Sequence, residues 1–90
     1  MSFEIDFKDS ALEDLKKHKK AGQKQLLSKI EKFTLECIQN PRQGTGHPEQ
    51  LKYRQLETWS REINKQHRFV YEIEDKKIIV LSVWGHYDDK

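Results

Sequence analysis

Arg68-Phe69-Val70-Tyr71-Glu72-Ile73-Glu74-Asp75-Lys76-Lys77-Ile78-Ile79-Val80-Leu81-Ser82-Val83-Trp84-Gly85-His86 is the stretch whose reading decides the fold. Its first seven residues alternate with a period of two. Phe69, Tyr71 and Ile73 share one face of a strand, and Arg68, Val70 and Glu72 share the other. After a polar break the apolar run resumes, with Ile79, Leu81 and Val83 on one face and Val80, Ser82, Trp84 and His86 on the other. A hairpin loop of Asp75-Lys76-Lys77 pairs Ile73 with Ile79 and Arg68 with Trp84, which joins the two apolar sets in one core. Arg68 and His86 then become diagonal neighbours on the opposite face, about 7–8 Å apart, a separation that admits a phosphate between two cationic side chains.

Outward from this hairpin, the segments Leu51 to Glu57 and Trp59 to Asn64 read as two further strands, and the last strand is expected from Ile78 to Tyr87. Two amphipathic helices precede them. The second runs from Gln23 to Gln39, with Leu26, Leu27, Ile30, Phe33, Leu35, Cys37 and Ile38 inward; Asn40-Pro41 ends it, because a residue before proline avoids the helical region. The first runs from Ala11 to Lys20 with Leu12 and Leu15 inward. Asp9 or Ser10 is its N-cap, and Glu13 would complete a capping box from Ser10. Ahead of it, Phe3, Ile5 and Phe7 alternate with Glu4 and Asp6 in a short strand. The expectation is a single α+β domain over residues 1–90: an N-terminal strand, two helices, then an antiparallel β-meander with the helices packed on one face of the sheet.

Composition narrows the class. The chain has 90 residues, of which 34% are hydrophobic and 36% charged, enough for one modest core. Net charge is only +2, but the basic residues are grouped. Lys16, Lys17, Lys19, Lys20, Lys24 and Lys29 form one set, read either as a polyanion contact or as a solvated helix face. Lys52, Arg54, Arg61, Lys65 and Arg68 form the other. The lone cysteine, Cys37, makes no internal disulfide and sits among apolar neighbours as a core filler. The four histidines lack ligand spacing, so neither a metal site nor a cofactor is expected. No apolar run approaches the about 18 residues of a membrane span, and the first residues do not read as a signal peptide, so no membrane contact and a cytoplasmic location are expected.

Four motifs now stand in order. Gly44-Thr45-Gly46-His47-Pro48-Glu49-Gln50-Leu51-Lys52 is similar to the Gly-x-Gly-x-Pro-Glu-x-Leu-Lys motif of the YoeB/Txe-like toxins of the RelE superfamily. Trp59-Ser60-Arg61 resembles that family's Trp-Ser-Arg, and His67-Arg68-Phe69-Val70-Tyr71 resembles its His-Arg-Leu-Val-Tyr. His86-Tyr87 resembles its C-terminal His-Tyr, although Asp88-Asp89-Lys90 come after it here. Glu62 stands where a second basic residue often succeeds the arginine. The resemblance implies a RelE-like fold and an endoribonuclease toxin of a type II toxin–antitoxin system, cleaving mRNA in the A site of the 70S ribosome. It also implies a cognate YefM-like antitoxin and a homodimer.

Carried over residue by residue, the resemblance makes Glu49 the general base, Arg68 the phosphate ligand and His86 the general acid, with Tyr87 orienting the nucleotide. The chemistry wants these types. RNA brings its own nucleophile, the 2′-hydroxyl, so a base, a cation and an acid suffice without a metal, and the first product is a 2′,3′-cyclic phosphate. Arginine grips two phosphate oxygens with its planar fork, and histidine exchanges protons near neutral pH. Lys52 and Arg61 are expected to contact phosphates. Trp59 is either a stacking platform for a base or a packing residue. His67 is expected to be packed and hydrogen-bonded rather than catalytic. The alternative function is a ParE-like binding module that inhibits gyrase without cutting RNA, which would not require Glu49, Arg68 and His86.

Overall fold

The computed structural model describes residues 2–85, so His86, Tyr87 and the three residues after them lie outside the described part of the chain. The element order is β1 (Glu4–Phe7), α1 (Asp9–Lys20), α2 (Lys24–Gln39), β2 (Glu49–Leu51), β3 (Glu57–Glu62), β4 (Arg68–Glu74) and β5 (Lys77–Ser82). The strands form one sheet in the order β1-β5-β4-β3-β2. β2 to β5 are the expected antiparallel meander. β1 adds a parallel edge beside β5, with Ile5 opposite Ile78 and Phe7 opposite Val80, so the whole sheet is mixed. α1 packs on β1 and β5, and α2 on β1 and α1.

Both helices cover the same face. Leu26, Ile30, Phe33 and Cys37 of α2 meet Phe69, Tyr71, Ile73, Ile78 and Val80 of the sheet in one buried cluster. Phe33 and Phe69 meet edge to face, their ring centres 5.6 Å apart; burying each ring contributes about 1.5–3 kcal/mol. The stripe Leu26-Ile30-Phe33-Cys37 has strict helical spacing. Leu35 lies about 180° round the helix from Leu26 and is 61% exposed, so it does not belong to the inward face as expected. Cys37 is fully buried, and desolvation pushes its thiol up to about 11, as suits a core filler.

α1 is rotated from its expected setting. Leu12 is exposed, while Ala11 and His18 are buried. The N-cap is Lys8 without a side-chain cap, so the capping box does not form. Ser10 instead donates its hydroxyl to Leu81 O at 2.7 Å, and Asp14 accepts from Val83 N–H at 3.1 Å. These bonds turn the Ser10-Asp14 edge toward β5, and Leu12, about 160° away from Asp14, turns to solvent.

The β4–β5 register also differs. Asp75 takes a left-handed φ of 54°, which an aspartate tolerates, and closes a two-residue turn that pairs Glu74 with Lys77 and Ile73 with Ile78. A bulge between Val70 and Tyr71 then absorbs one residue, so that Tyr71 faces Val80 but Val70 faces Ser82. The core therefore takes Ile78, Val80 and Val83, not Ile79 and Leu81. The expected pairing of Arg68 with Trp84 is replaced by a bond from Arg68 N–H to Gly85 O at 3.1 Å. β2 is shorter and earlier than expected, because Tyr53 adopts a φ of 62° that ends it; β3 begins two residues early, at Glu57.

Candidate active site

The sheet's two faces separate the candidate residues. β2 pairs with β3 so that Glu49 faces Ser60, and β3 pairs with β4 so that Ser60 faces Val70 and Glu62 faces Arg68. Directly opposed residues share a face. Glu49, Ser60, Glu62, Arg68 and Val70 therefore lie on the face away from the helices. Glu49 and Arg68 are two strand spacings apart and offset by two residues, about 12 Å between Cα atoms, within reach of one phosphodiester between a long acid and a long base. Glu49 is exposed and Arg68 half-buried. His86 and Tyr87, the other two candidates, lie outside the described residues.

Trp59 and Arg61 lie on the helix-covered face, opposite Tyr71 and Phe69. Arg61 is 0% exposed and cannot serve as the expected phosphate contact. Its donors are already engaged. Nη1 bonds Glu36 Oε1 at 2.6 Å and Thr45 O at 3.3 Å. Nη2 bonds Gln43 O at 2.8 Å and Pro41 O at 3.4 Å, and Nε bonds Tyr71 Oη at 3.1 Å. Burial opposes its charge, but the bonds it donates to Tyr71 and Glu36 help to outweigh that and its pKa is raised. The Tyr71 hydroxyl, held protonated chiefly by burial, donates in turn to Pro41 O at 2.6 Å. Trp59 packs against the core cluster and donates Nε1–H to Glu57 at 2.8 Å, which favours packing over stacking on a base. Lys52 is exposed just after β2.

This buried arginine explains the glycine motif. The loop after α2 wraps the guanidinium with its own carbonyls, and Thr45 caps Glu36 with N–H and hydroxyl bonds of 2.9 and 3.0 Å. A Cβ on Gly44 would collide with Glu36 Oε1, and one on Gly46 would stand 2.6 Å from Phe33 Cζ. Gly46 holds a φ of 81° and its carbonyl accepts Glu62 N–H at 2.7 Å. The loop is thus pinned to the end of β3 three residues before Glu49. Arg42 adds a two-toothed bond to Glu57 at 2.7 and 2.9 Å. The basic cleft beside this loop, lined by Lys29, Lys32, His47 and Glu62, contains neither Glu49 nor Arg68.

One placement beside the site was not foreseen. Glu62 stands directly across from Arg68 on the same face. Strand alternation puts it there, since β3 runs from Glu57 to Glu62.

An N-terminal strand, two helices and a five-stranded sheet that the helices back on one face make an α+β, RelE-like fold. Residues 7–87 match the family described as YoeB-like toxin of bacterial type II toxin-antitoxin system. The chain is 39% identical over 64 residues to Toxin YoeB of Synechocystis sp., an alignment covering 71% of this chain and 74% of that one. It superposes on the YoeB dimer from Staphylococcus aureus with a TM-score of 0.83 at 33% identity, covering 97% of this chain and 100% of that one. It superposes on the heterotetrameric YoeB-YefM toxin-antitoxin complex of the same organism with a TM-score of 0.79, at the same identity and coverage. The chain belongs to the YoeB-like toxins of bacterial type II toxin–antitoxin systems.

Proposed function

We propose that the protein is a metal-independent endoribonuclease that cleaves mRNA in the ribosomal A site and so halts translation. The observation that supports it best is the convergence of Glu49 and Arg68 on the helix-free face, reached from two strands far apart in sequence. Glu49 takes the proton of the 2′-hydroxyl, which attacks the adjacent phosphorus. Arg68 stabilises the charge that builds on the phosphorane oxygens. His86 gives a proton to the departing 5′-oxygen, and Tyr87 orients the nucleotide. The products are a 2′,3′-cyclic phosphate and a 5′-hydroxyl, and Lys52 steadies a neighbouring phosphate. The S. aureus relatives are a dimer and a complex with YefM, and we extend both to this chain: a homodimer, held inactive in the cytoplasm by a YefM-like antitoxin.

The test is a translation-coupled cleavage assay with mapped RNA ends, on the wild type, Arg68→Ala and His86→Ala. Cuts within A-site codons, reduced by about 100-fold or more in both variants, are the expected result. Growth arrest by a soluble wild type that leaves RNA intact would overturn the nuclease reading.

A further inference from the structure

Three rings meet where α1 crosses the end of β5. The ring centres of His18, His67 and Trp84 lie 4.7 Å apart in all three pairings, and Lys17 Nζ stands 5.3 Å over the indole. His18 is wholly buried in the last turns of α1, and His67, 8% exposed, is the residue before β4. The cluster closes on a stretch of backbone that has left the sheet, since the last paired residue of β5 is Ser82.

Backbone groups that leave a ladder need other partners when buried. Here side chains supply them. Ser10 bonds Leu81 O, Asp14 accepts from Val83 N–H, and His18 Nε2 bonds Val83 O at 2.8 Å. The three are spaced by four, so one polar edge of α1 replaces the missing strand. His67 Nδ1 accepts Gly85 N–H at 2.8 Å, and Gly85 O accepts Arg68 N–H. The partners fix the tautomers. A carbonyl only accepts, so His18 Nε2 carries the hydrogen; an amide N–H only donates, so His67 Nδ1 is bare. His18 Nδ1 is buried without a hydrogen-bond partner among the described residues. An apolar side chain would fill that space without an orphaned acceptor, so what His18 adds beyond packing is its bond to Val83.

We propose that His18 and His67 are positioning residues for RNA cleavage. They fix the backbone of Val83 to Gly85, the point from which His86 departs, relative to Arg68. The inference rests on the reading of His86 as the general acid. Arg68 is common to both ends of the arrangement: its side chain is the phosphate ligand, and its N–H anchors Gly85.

The test compares His67→Leu with His67→Asn, whose Oδ1 can stand near Nδ1 and accept Gly85 N–H. Two quantities are read: kcat and KM on ribosome-bound mRNA, and amide hydrogen exchange at Val83 and Gly85. Losing about 1 Å of placement costs on the order of 100-fold in rate, so His67→Leu is expected to lower kcat by about 30- to 100-fold. KM should stay within about two-fold. Exchange at Gly85 should speed up by about ten-fold or more, and Asn should restore both. Unchanged Gly85 exchange in His67→Leu, or faster exchange with unchanged kcat, overturns the proposal. Should His67→Leu fail to fold, Asp14→Ala releases Val83 N–H from a half-buried position and is judged on the same two quantities at Val83. If His86→Ala is as active as wild type, or wild type does not cut, the function reading fails instead; the exchange data then judge the anchoring alone.

Discussion

Arg61→Met would remove all the donors of the buried guanidinium while keeping most of its apolar stem. The charged bond to Glu36 is worth about 1.5–3 kcal/mol, and the stranded carbonyl of Gln43 about 1–3 kcal/mol more. Two features limit the loss. Tyr71 keeps its own bond to Pro41, and the Glu36 side chain is 25% exposed, so water can re-solvate it. The expected loss is about 3 kcal/mol, the lower end of what breaking a buried pair costs. Against a total stability of about 5–15 kcal/mol this is large. In urea, with a slope of about 1–2 kcal/mol per molar for a chain this size, the midpoint should fall by roughly 2 M. Arg61→Lys, which can still reach Glu36 but lacks the fork, should lose about half as much. A loss under about 0.5 kcal/mol, with a shallower salt dependence of RNA binding, would refute this reasoning and make Arg61 a phosphate contact after all.

The same loop carries two further expectations. Glu36 is raised by burial but lowered further by Thr45 and Arg61, and Glu57 is lowered by Arg42, so both carboxyl pKa values are depressed in the fold. Depressed carboxylates stabilise above their unfolded value of about 4.3 and lose that contribution as pH falls through the folded value; Glu36→Gln should flatten the decline in unfolding free energy measured below about pH 4.5. Gly46→Ala combines a φ of 81° with a clash on Phe33 and should cost about 2 kcal/mol or more; a melting temperature within a degree of wild type would show that the loop does not depend on that close approach.

Periodicity made the element order legible, because the 3.6-residue stripe of α2 and the two-residue alternation of Phe69, Tyr71 and Ile73 in β4 both face the one core. The register of β4 against β5 was not legible. A two-residue turn and a later bulge cancel, and each depends on a local backbone state, the φ of Asp75 and the extra residue at Val70/Tyr71, that alternation does not encode. Placing Glu49 and Arg68 as candidates needed only their motifs. Reading Arg61 needed more: an arginine two residues from a tryptophan looks like a nucleic-acid contact until Phe69 is known to stand opposite it and Tyr71 opposite Trp59. Leu12 failed for a related reason, since the bond Ser10 donates to Leu81 and the one Asp14 accepts from Val83, some 70 residues away, set the rotation of α1.

The parallel pairing of β1 with β5 has a temporal meaning. Residues 4–7 leave the ribosome well ahead of their partners, residues 77–80. Both helices and strands β2 to β4 must therefore be synthesised before the first strand has anywhere to dock, and the same late strand supplies Ile78 and Val80 to the core. Such long-range closure slows folding relative to a helical protein of this length. A ribosome making this toxin must pass residue 80 before the product can assemble its sheet, and a chain terminated before that lacks the strand that would complete it.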